Sequence, residues 1–225
     1  MKKKAIVLTS GGLDSTTVLA IALSEGFDIT CVSYDYGQRH KCELISAKKV
    51  SAFFGINNHI IVRLDTRPFS GSALTDDIPV PKEGPGNNIP VTYVPARNLV
   101  FLSYATALAE SSGANDIFIG VNSIDYSGYP DCRPEFISAF GKAVESGTKC
   151  GVNGEKININ TPIINMTKEE IIAKGIELGV DYSITHSCYD PDDNGLACGH
   201  CDSCRIRLTA FAKLGIKDPI KYMDR

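Results

Sequence analysis

Ser10-Gly11-Gly12-Leu13-Asp14-Ser15-Thr16-Thr17 stands between two runs of different character. Before it, Ala5-Ile6-Val7-Leu8 suits a buried strand; after it, Val18-Leu19-Ala20-Ile21-Ala22-Leu23 reads as a helix. The stretch is therefore a strand–turn–helix junction. Gly11 and Gly12 permit positive φ and let backbone approach a ligand where a Cβ would clash. The N–H groups opening the helix, with the Ser and Thr hydroxyls, then face a concave anion site. An ordinary βα turn with a Ser cap would account for a lone glycine pair. Eight consecutive residues that all suit phosphate point instead to nucleotide binding. No Gly-Lys-Ser/Thr closes the stretch, so it is not a Walker A loop.

The 225 residues suffice for one α/β domain with its own core, or for a domain with a small appendage. A hydrophobic content of 43% and a charged content of 22% are those of a soluble globular protein. The net charge of −3 argues against a broad phosphate-backbone footprint, and no nucleic-acid partner is expected. Met1-Lys2-Lys3-Lys4 before an apolar run imitates a signal peptide, but the run is too short and ends in Gly-Gly-Leu-Asp. No run approaches transmembrane length, so no membrane association is expected. Eight cysteines without a secretory signal place the chain in the cytoplasm, with thiols used for metal or chemistry.

Strand-like and helix-like segments alternate along the whole chain. Asp28–Tyr34 and His59–Leu64 read as strands, and Lys41–Phe54 between them as a helix stopped by Gly55. Asp65–Pro95 is long, irregular and carries six prolines; a lid that orders on substrate is expected there. Asn98–Glu110 reads as a buried apolar helix, Asp116–Val121 as a fourth strand, and Pro134–Glu145 as a helix. Lys156–Thr161 is a short strand. Thr167–Leu178 is a helix whose Thr167 and Glu170 form a capping-box pattern. Repeated βα units predict a parallel sheet with helices on both faces. Ligands then bind beyond the carboxyl ends of the strands, where the loops after Leu8, Tyr34, Leu64 and Val121 should converge.

Three further clusters carry chemistry. Tyr34 to His40, with Glu43 just beyond, is a polar group at the expected ligand edge, or else a solvated loop. Asp125-Tyr126-Ser127-Gly128-Tyr129-Pro130-Asp131-Cys132-Arg133 offers two flat phenol faces, acids and an Arg, a set suited to a planar heterocycle. Within it, Asp131 would accept the adjacent N–H donors of a guanine-like edge. Arg97, opening its helix, could reach phosphate bidentately, and Lys168 could supply a point charge. Finally, Cys188, Cys198, Cys201 and Cys204 have spacing for a closed thiolate site. His200 could replace one thiol, and the spacing alone also fits an iron–sulfur cluster. The chain divides accordingly into residues 1–180, bearing the nucleotide loop, and residues 181–225, a metal-stapled segment packed on them.

The Ser10–Thr17 loop resembles that of the N-type ATP pyrophosphatases, which cleave ATP between its α and β phosphates. The runs Ser10–Thr17, Tyr34–Glu43, Tyr93–Asn98, Gly120–Phe136, Thr161–Lys168 and Ser187–Arg207 are similar to the 7-cyano-7-deazaguanine synthase family. That resemblance implies an adenine nucleotide alpha hydrolase-like fold and an ATP-dependent carbon–nitrogen ligase of queuosine biosynthesis. Its reaction takes 7-carboxy-7-deazaguanine, ammonia and ATP to the nitrile through an adenylated carboxylate and then the amide. It implies ATP binding by Leu8, Thr9, Ser10, Gly11, Gly12, Leu13, Asp14, Ser15, Thr16, Thr17 and Val18, and Mg²⁺ placed with the help of Asp14. Asp14, Lys168 and Arg97 would be catalytic; Asp125, Tyr126, Tyr129, Asp131 and Arg133 would hold the substrate. Cys188, Cys198, Cys201 and Cys204 would bind one structural Zn²⁺ per chain. A homodimer is expected. No glutaminase domain fits in this length, so ammonia is expected free or from a partner. Two rivals stand beside this reading. One is a tRNA sulfurtransferase of the same loop class, with Cys132 as its nucleophile. The other is a non-catalytic, zinc-stapled nucleotide sensor.

Overall fold

Five parallel strands are ordered β3-β2-β1-β4-β5: β1 (Lys4–Leu8), β2 (Asp28–Asp35), β3 (His59–Arg63), β4 (Asp116–Phe118) and β5 (Asn158–Asn160). The structure is a computed structural model and describes residues 2–65, 68, 71–82, 89–124 and 128–223. The chain winds outward from β1 through β2 to β3, then returns to β4 on the other side of β1. Strand order thus reverses at β1, and the loop after Leu8 opens at the switch point where such sheets bind ligands.

Alternation along the strands divides the core in two. Ala5, Val7, Ile29 and Cys31 face one layer, where α1 (Leu13–Ser24), α2 (Cys42–Phe53), α6 (Lys168–Glu177) and α7 (Asp202–Lys213) pack. Ile6, Leu8, Val32, Tyr34 and Ile117 face the other, covered by α3 (Arg97–Ser112) and α4 (Pro134–Gly147), with the short α5 (Lys149–Val152) beside them. Helix α1 is buried from Leu13 to Ala22 except at Asp14, because α6 covers the side turned away from the sheet. That is why its sequence is apolar or small all round.

The predicted elements form with ends shifted by a few residues, and helices do cover both faces of a parallel sheet. The capping box forms as predicted, with Thr167 Oγ1 accepting from the Glu170 N–H and Glu170 returning to the Thr167 N–H. Helix α3 differs from expectation. Leu99, Val100 and Tyr104 are 47%, 36% and 43% exposed, while Leu102, Ala105 and Ala109 are buried. Its apolar residues exceed what one sheet-facing stripe can cover. Strand β4 ends at Phe118, not Val121: an added Cβ on Gly120 would lie 3.1 Å from the Ser15 nitrogen, so the chain here runs against the first turn of α1.

Part of the expected lid, residues 66, 67, 69, 70 and 83–88, lies outside the described residues. Of the described part, Val94, Leu74 and Tyr93 pack against the core layer of Ile6 and Val32, and other residues against the C-terminal segment. Ala73 and Val80 pack with the four clustered cysteines, and Lys82 Nζ meets the Asp190 carboxylate at 2.5 Å. No helix among the described residues is long and apolar enough to cross a membrane.

Candidate active site and metal centre

A cleft of about 230 Å³ opens at the carboxyl edge of the sheet, and its floor is the loop after β1. Gly11 has φ +83°, a left-handed conformation that side chains rarely adopt, and a Cβ there would lie 2.3 Å from the Ala47 nitrogen. The glycine thus lets α2 pack directly on the loop. The neighbouring turn is held by short polar links: Ser10 and Ser15 hydroxyls lie 2.9 Å apart, and the Thr16 hydroxyl donates to the Gly12 carbonyl at 2.8 Å. A second strap comes from far along the chain. The His186 N–H donates to the Gly11 carbonyl at 2.9 Å, and Ser187 Oγ accepts from the Leu13 N–H at 3.3 Å.

Of the eleven expected nucleotide-loop residues, Leu8, Thr9, Ser10, Gly12, Leu13, Asp14 and Ser15 line the cleft. Thr16, Thr17 and Val18 are buried in α1, and the Thr17 hydroxyl instead meets the Tyr182 hydroxyl at 2.7 Å. Across the loop mouth, Lys168 Nζ contacts both Asp14 oxygens, at 2.6 and 2.8 Å. The lysine side chain is only 8% exposed, so a charge is held in the cleft wall beside the Asp14 carboxylate. Asn122 sets the approach to that lysine: its Nδ2 donates to the Ile163 and Met166 carbonyls at 2.8 and 2.7 Å.

Arg97 enters the cleft beside Tyr36, with its Nη1 3.4 Å from the phenol oxygen and its guanidinium carbon 6.0 Å from the ring centre. The preceding Ala96 has φ +53°, unusual for a residue with a Cβ, and this conformation starts α3 at the cleft edge. Tyr34 stacks on Phe101 at 3.9 Å, and both line the cleft. The polar group after β2 therefore supplies Tyr34, Tyr36, Gln38 and Glu43 to the lining, whereas Arg39 turns outward to the Ile78 carbonyl.

The expected heterocycle run is split. Asp125 and Tyr126 lie outside the described residues. Tyr129 lines the cleft and shares a 2.7 Å hydrogen bond with the Thr92 hydroxyl. Asp131 is buried under the start of α3, where its Oδ2 accepts from the Asn98 N–H at 2.9 Å; it does not line the cleft. A carboxylate there satisfies an otherwise orphaned donor of the helix N-terminus. Arg133 is exposed and also outside the lining. Cys132 does reach the cleft, but burial and the Asp131 charge push its thiol up to about 12, so it is protonated near neutrality.

The four C-terminal thiols converge. One sulfur each from Cys188, Cys198, Cys201 and Cys204 lies within 4.8 Å of the others, all buried, while His200 is exposed. Tetrahedral thiolates around one ion stand about 3.8 Å apart for metal–sulfur bonds near 2.3 Å, and Cys188 and Cys201 are already at 4.0 Å. Backbone N–H groups of Asp190 and Cys198 aim at the Cys188 sulfur, at 3.3 and 3.2 Å, and that of Cys201 aims at Cys198 at 3.3 Å. Such donors favour thiolate over thiol. The cluster is thus able to ligate a metal ion.

Residues 4–215 match the family described as queuosine biosynthesis protein QueC. The chain belongs to the QueC family. A 7-cyano-7-deazaguanine synthase from Citrifermentans bemidjiense is 60% identical over 222 residues, 99% of each chain. Another from Ralstonia pickettii is 58% identical over 224 residues, covering 99% of this chain and all of that one. A solved structure of NMN synthetase from Francisella tularensis superposes with a TM-score of 0.53, covering 96% of this chain and 79% of that chain. At 14% identity, that likeness concerns the fold alone. The parallel sheet, its flanking helices and the cysteine cluster are those expected of a QueC protein.

The single-sequence reading missed the His186–Ser187 strap and the Asn122 anchor. Both act between segments far apart in the chain, and neither has a local pattern to announce it.

Proposed function

We propose that this cleft converts 7-carboxy-7-deazaguanine, ammonia and ATP to 7-cyano-7-deazaguanine by activating two oxygens in turn at one α-phosphate site. The observation that carries the reading is the meeting of the loop after β1, the Lys168–Asp14 pair and Arg97 in one cleft of a QueC-family chain. A carboxylate resists ammonia until its oxygen becomes a leaving group. Attack of that oxygen on the α-phosphorus expels pyrophosphate and gives the acyl adenylate. Ammonia displaces AMP to leave the amide, whose oxygen is adenylated in the same way. Loss of that oxygen, again as AMP, leaves the nitrile. The loop N–H groups and Lys168 stabilise charge growing on pyrophosphate. Arg97 steers the substrate carboxylate, with Tyr36, Phe101 and Tyr129 offering faces to the heterocycle. The ring is read by this wall and not by Asp131 and Arg133, which the lining does not include.

Mg²⁺ would neutralise phosphate charge, and Asp14, at the loop mouth, would offer it a hard carboxylate oxygen. Zinc fits the four cysteines: closely spaced sulfurs suit one ion, and a site closed by four thiolates has no open position for chemistry. Its role is to hold residues 188–204 together as the surface on which Ala73 and Val80 of the nucleotide-binding unit of residues 1–180 pack. All eight cysteines are free thiols, which supports a reducing, cytoplasmic setting. The exposed Leu99, Val100 and Tyr104 on α3 support a homodimer, and the net charge of −3 speaks against a nucleic-acid partner.

Mass spectrometry of the products from ATP, ammonium and 7-carboxy-7-deazaguanine tests this reading. Nitrile, AMP and pyrophosphate are expected. Retention of ATP without pyrophosphate release would leave the nucleotide-sensor reading instead. The sulfurtransferase reading needs a reactive thiolate, and the protonated, buried Cys132 does not provide one.

A further inference from the structure

The reaction releases protons from nitrogen three times: one when ammonia becomes the amide, two when the amide becomes the nitrile. A group in the cleft must take them, and it must pass each to solvent before the next. Among the described lining residues, most titratable groups are unsuited. Asp14 is bound to Lys168. Burial raises the phenols of Tyr34, Tyr36 and Tyr129 and the thiol of Cys132 out of range. His186 also lines the cleft, but its Nε2 is sealed from solvent and has no hydrogen-bond partner to relay a proton.

Glu43 is different. It stands in the first turn of α2, half-buried, with its side chain in the cleft lining. Its backbone carbonyl packs against Gly11, within 2.6 Å of where a Cβ on that glycine would sit, so α2 carries it directly beside the phosphate loop. On the other side stand the neutral phenol of Tyr36 and the guanidinium of Arg97, the group that steers the reacting carboxylate. No hydrogen bond or ion pair engages its carboxyl among the described residues. We propose that Glu43 is the general base that removes the nitrogen protons in both halves of the reaction, an inference that rests on the function proposed above.

The first half runs as follows. The ammonia lone pair forms the C–N bond at the acyl carbon; a proton passes from that nitrogen to a Glu43 oxygen; the acyl C–O bond breaks and its electrons leave with AMP. Glu43 then releases the proton to water. In the second half the nitrogen of the O-adenylated amide, formed as its iminium cation, gives up one proton to leave the imidate and then the second, both by the same route. The nitrogen electrons form the C≡N bond, and the C–O bond breaks toward AMP. Burial raises the Glu43 carboxyl, with Arg97 pulling it back, which makes it a stronger base than an exposed carboxylate.

The test is Glu43→Gln in the full, metal-loaded chain. Adenylation of the carboxylate moves no nitrogen proton, so pyrophosphate–ATP exchange driven by 7-carboxy-7-deazaguanine without ammonia should stay within threefold of wild type. Nitrile formation at saturating ammonium, from either the acid or the amide, should fall about 100-fold or more. Nitrile formation within threefold of wild type overturns the assignment, as does a parallel loss of exchange, which would mark a binding role. If Glu43→Gln does not fold, Glu43→Ala with added formate replaces it. Recovery of nitrile formation by tenfold or more supports the role, and no recovery overturns it. A wild-type protein that makes no nitrile sinks the proposed function itself, a different result from an unchanged variant.

Discussion

Replacing Asp218 by Asn should be the most damaging single-atom-scale change in the C-terminal segment. Arg207 and Asp218 are both 2% exposed at the side chain and pair bidentately, at 2.7 Å (Nε–Oδ2) and 3.0 Å (Nη2–Oδ1). The remaining guanidinium donors go to Thr185 Oγ1 at 2.7 Å and the Tyr182 carbonyl at 3.1 Å, and the Tyr222 hydroxyl donates to Asp218 Oδ2 at 2.6 Å. Four of the guanidinium N–H groups thus have protein partners, and the 2% exposed pair leaves little access for water to replace the lost anion. Breaking one side of such a pair costs about 3–5 kcal/mol, because a buried cation is left uncompensated. With a urea slope of about 2–3 kcal/mol per M, the midpoint should fall by about 1–2.5 M. The chain has no tryptophan, so the unfolding of zinc-saturated protein is followed by circular dichroism. The double variant Arg207→Met with Asp218→Leu should be more stable than Asp218→Asn, since it removes the orphaned charge. The damage should also reach the nucleotide. Arg207 fixes Tyr182 and Thr185, the next residues hold the loop through His186 and Ser187, and ATP binding by calorimetry should weaken as well. A loss below about 1 kcal/mol, the scale of an exposed ion pair, would refute the argument.

Lys168→Met should keep the fold, because the methionine fills the stem's place, while pyrophosphate release falls at least about 100-fold for want of the charge at the loop mouth. Near-normal release would remove Lys168 from the machinery. Asp131→Ala should lower stability by about 1–2 kcal/mol by leaving the Asn98 N–H at the start of α3 without its acceptor, with little change in the KM for 7-carboxy-7-deazaguanine. A large rise in that KM with unchanged stability would return Asp131 to the substrate. Purified protein should be colourless, with about one zinc per chain by elemental analysis, and Cys201→Ser should lose it. A brown protein absorbing near roughly 400 nm would mean an iron–sulfur cluster instead.

Much of this protein is legible from local pattern. The apolar run, the glycine pair and the following helix define the β1–α1 turn because a phosphate loop is built within a few consecutive residues. The Thr167–Glu170 capping box is legible for the same reason, since both its hydrogen bonds span three residues. Alternating elements indicate a parallel sheet, and the spacing of Cys198, Cys201 and Cys204 marks a thiol site, because the links joining them are only two residues long. Chemical type without position was not enough elsewhere. Asp131 and Arg133 had the right groups for a heterocycle, but the orphan donors at the start of α3 drew Asp131 under the helix and left Arg133 in solvent. Strand order depends on which strands close over β1. The partnership of Asp14 with Lys168 spans 154 residues, and that of Leu13 with Ser187 spans 174. Such pairs leave no periodicity in the chain. They are chosen by how α1, α6 and α7 stack on one face of the sheet, while α2 on that face and α3 on the other bring Glu43 and Arg97 to the same cleft as Lys168.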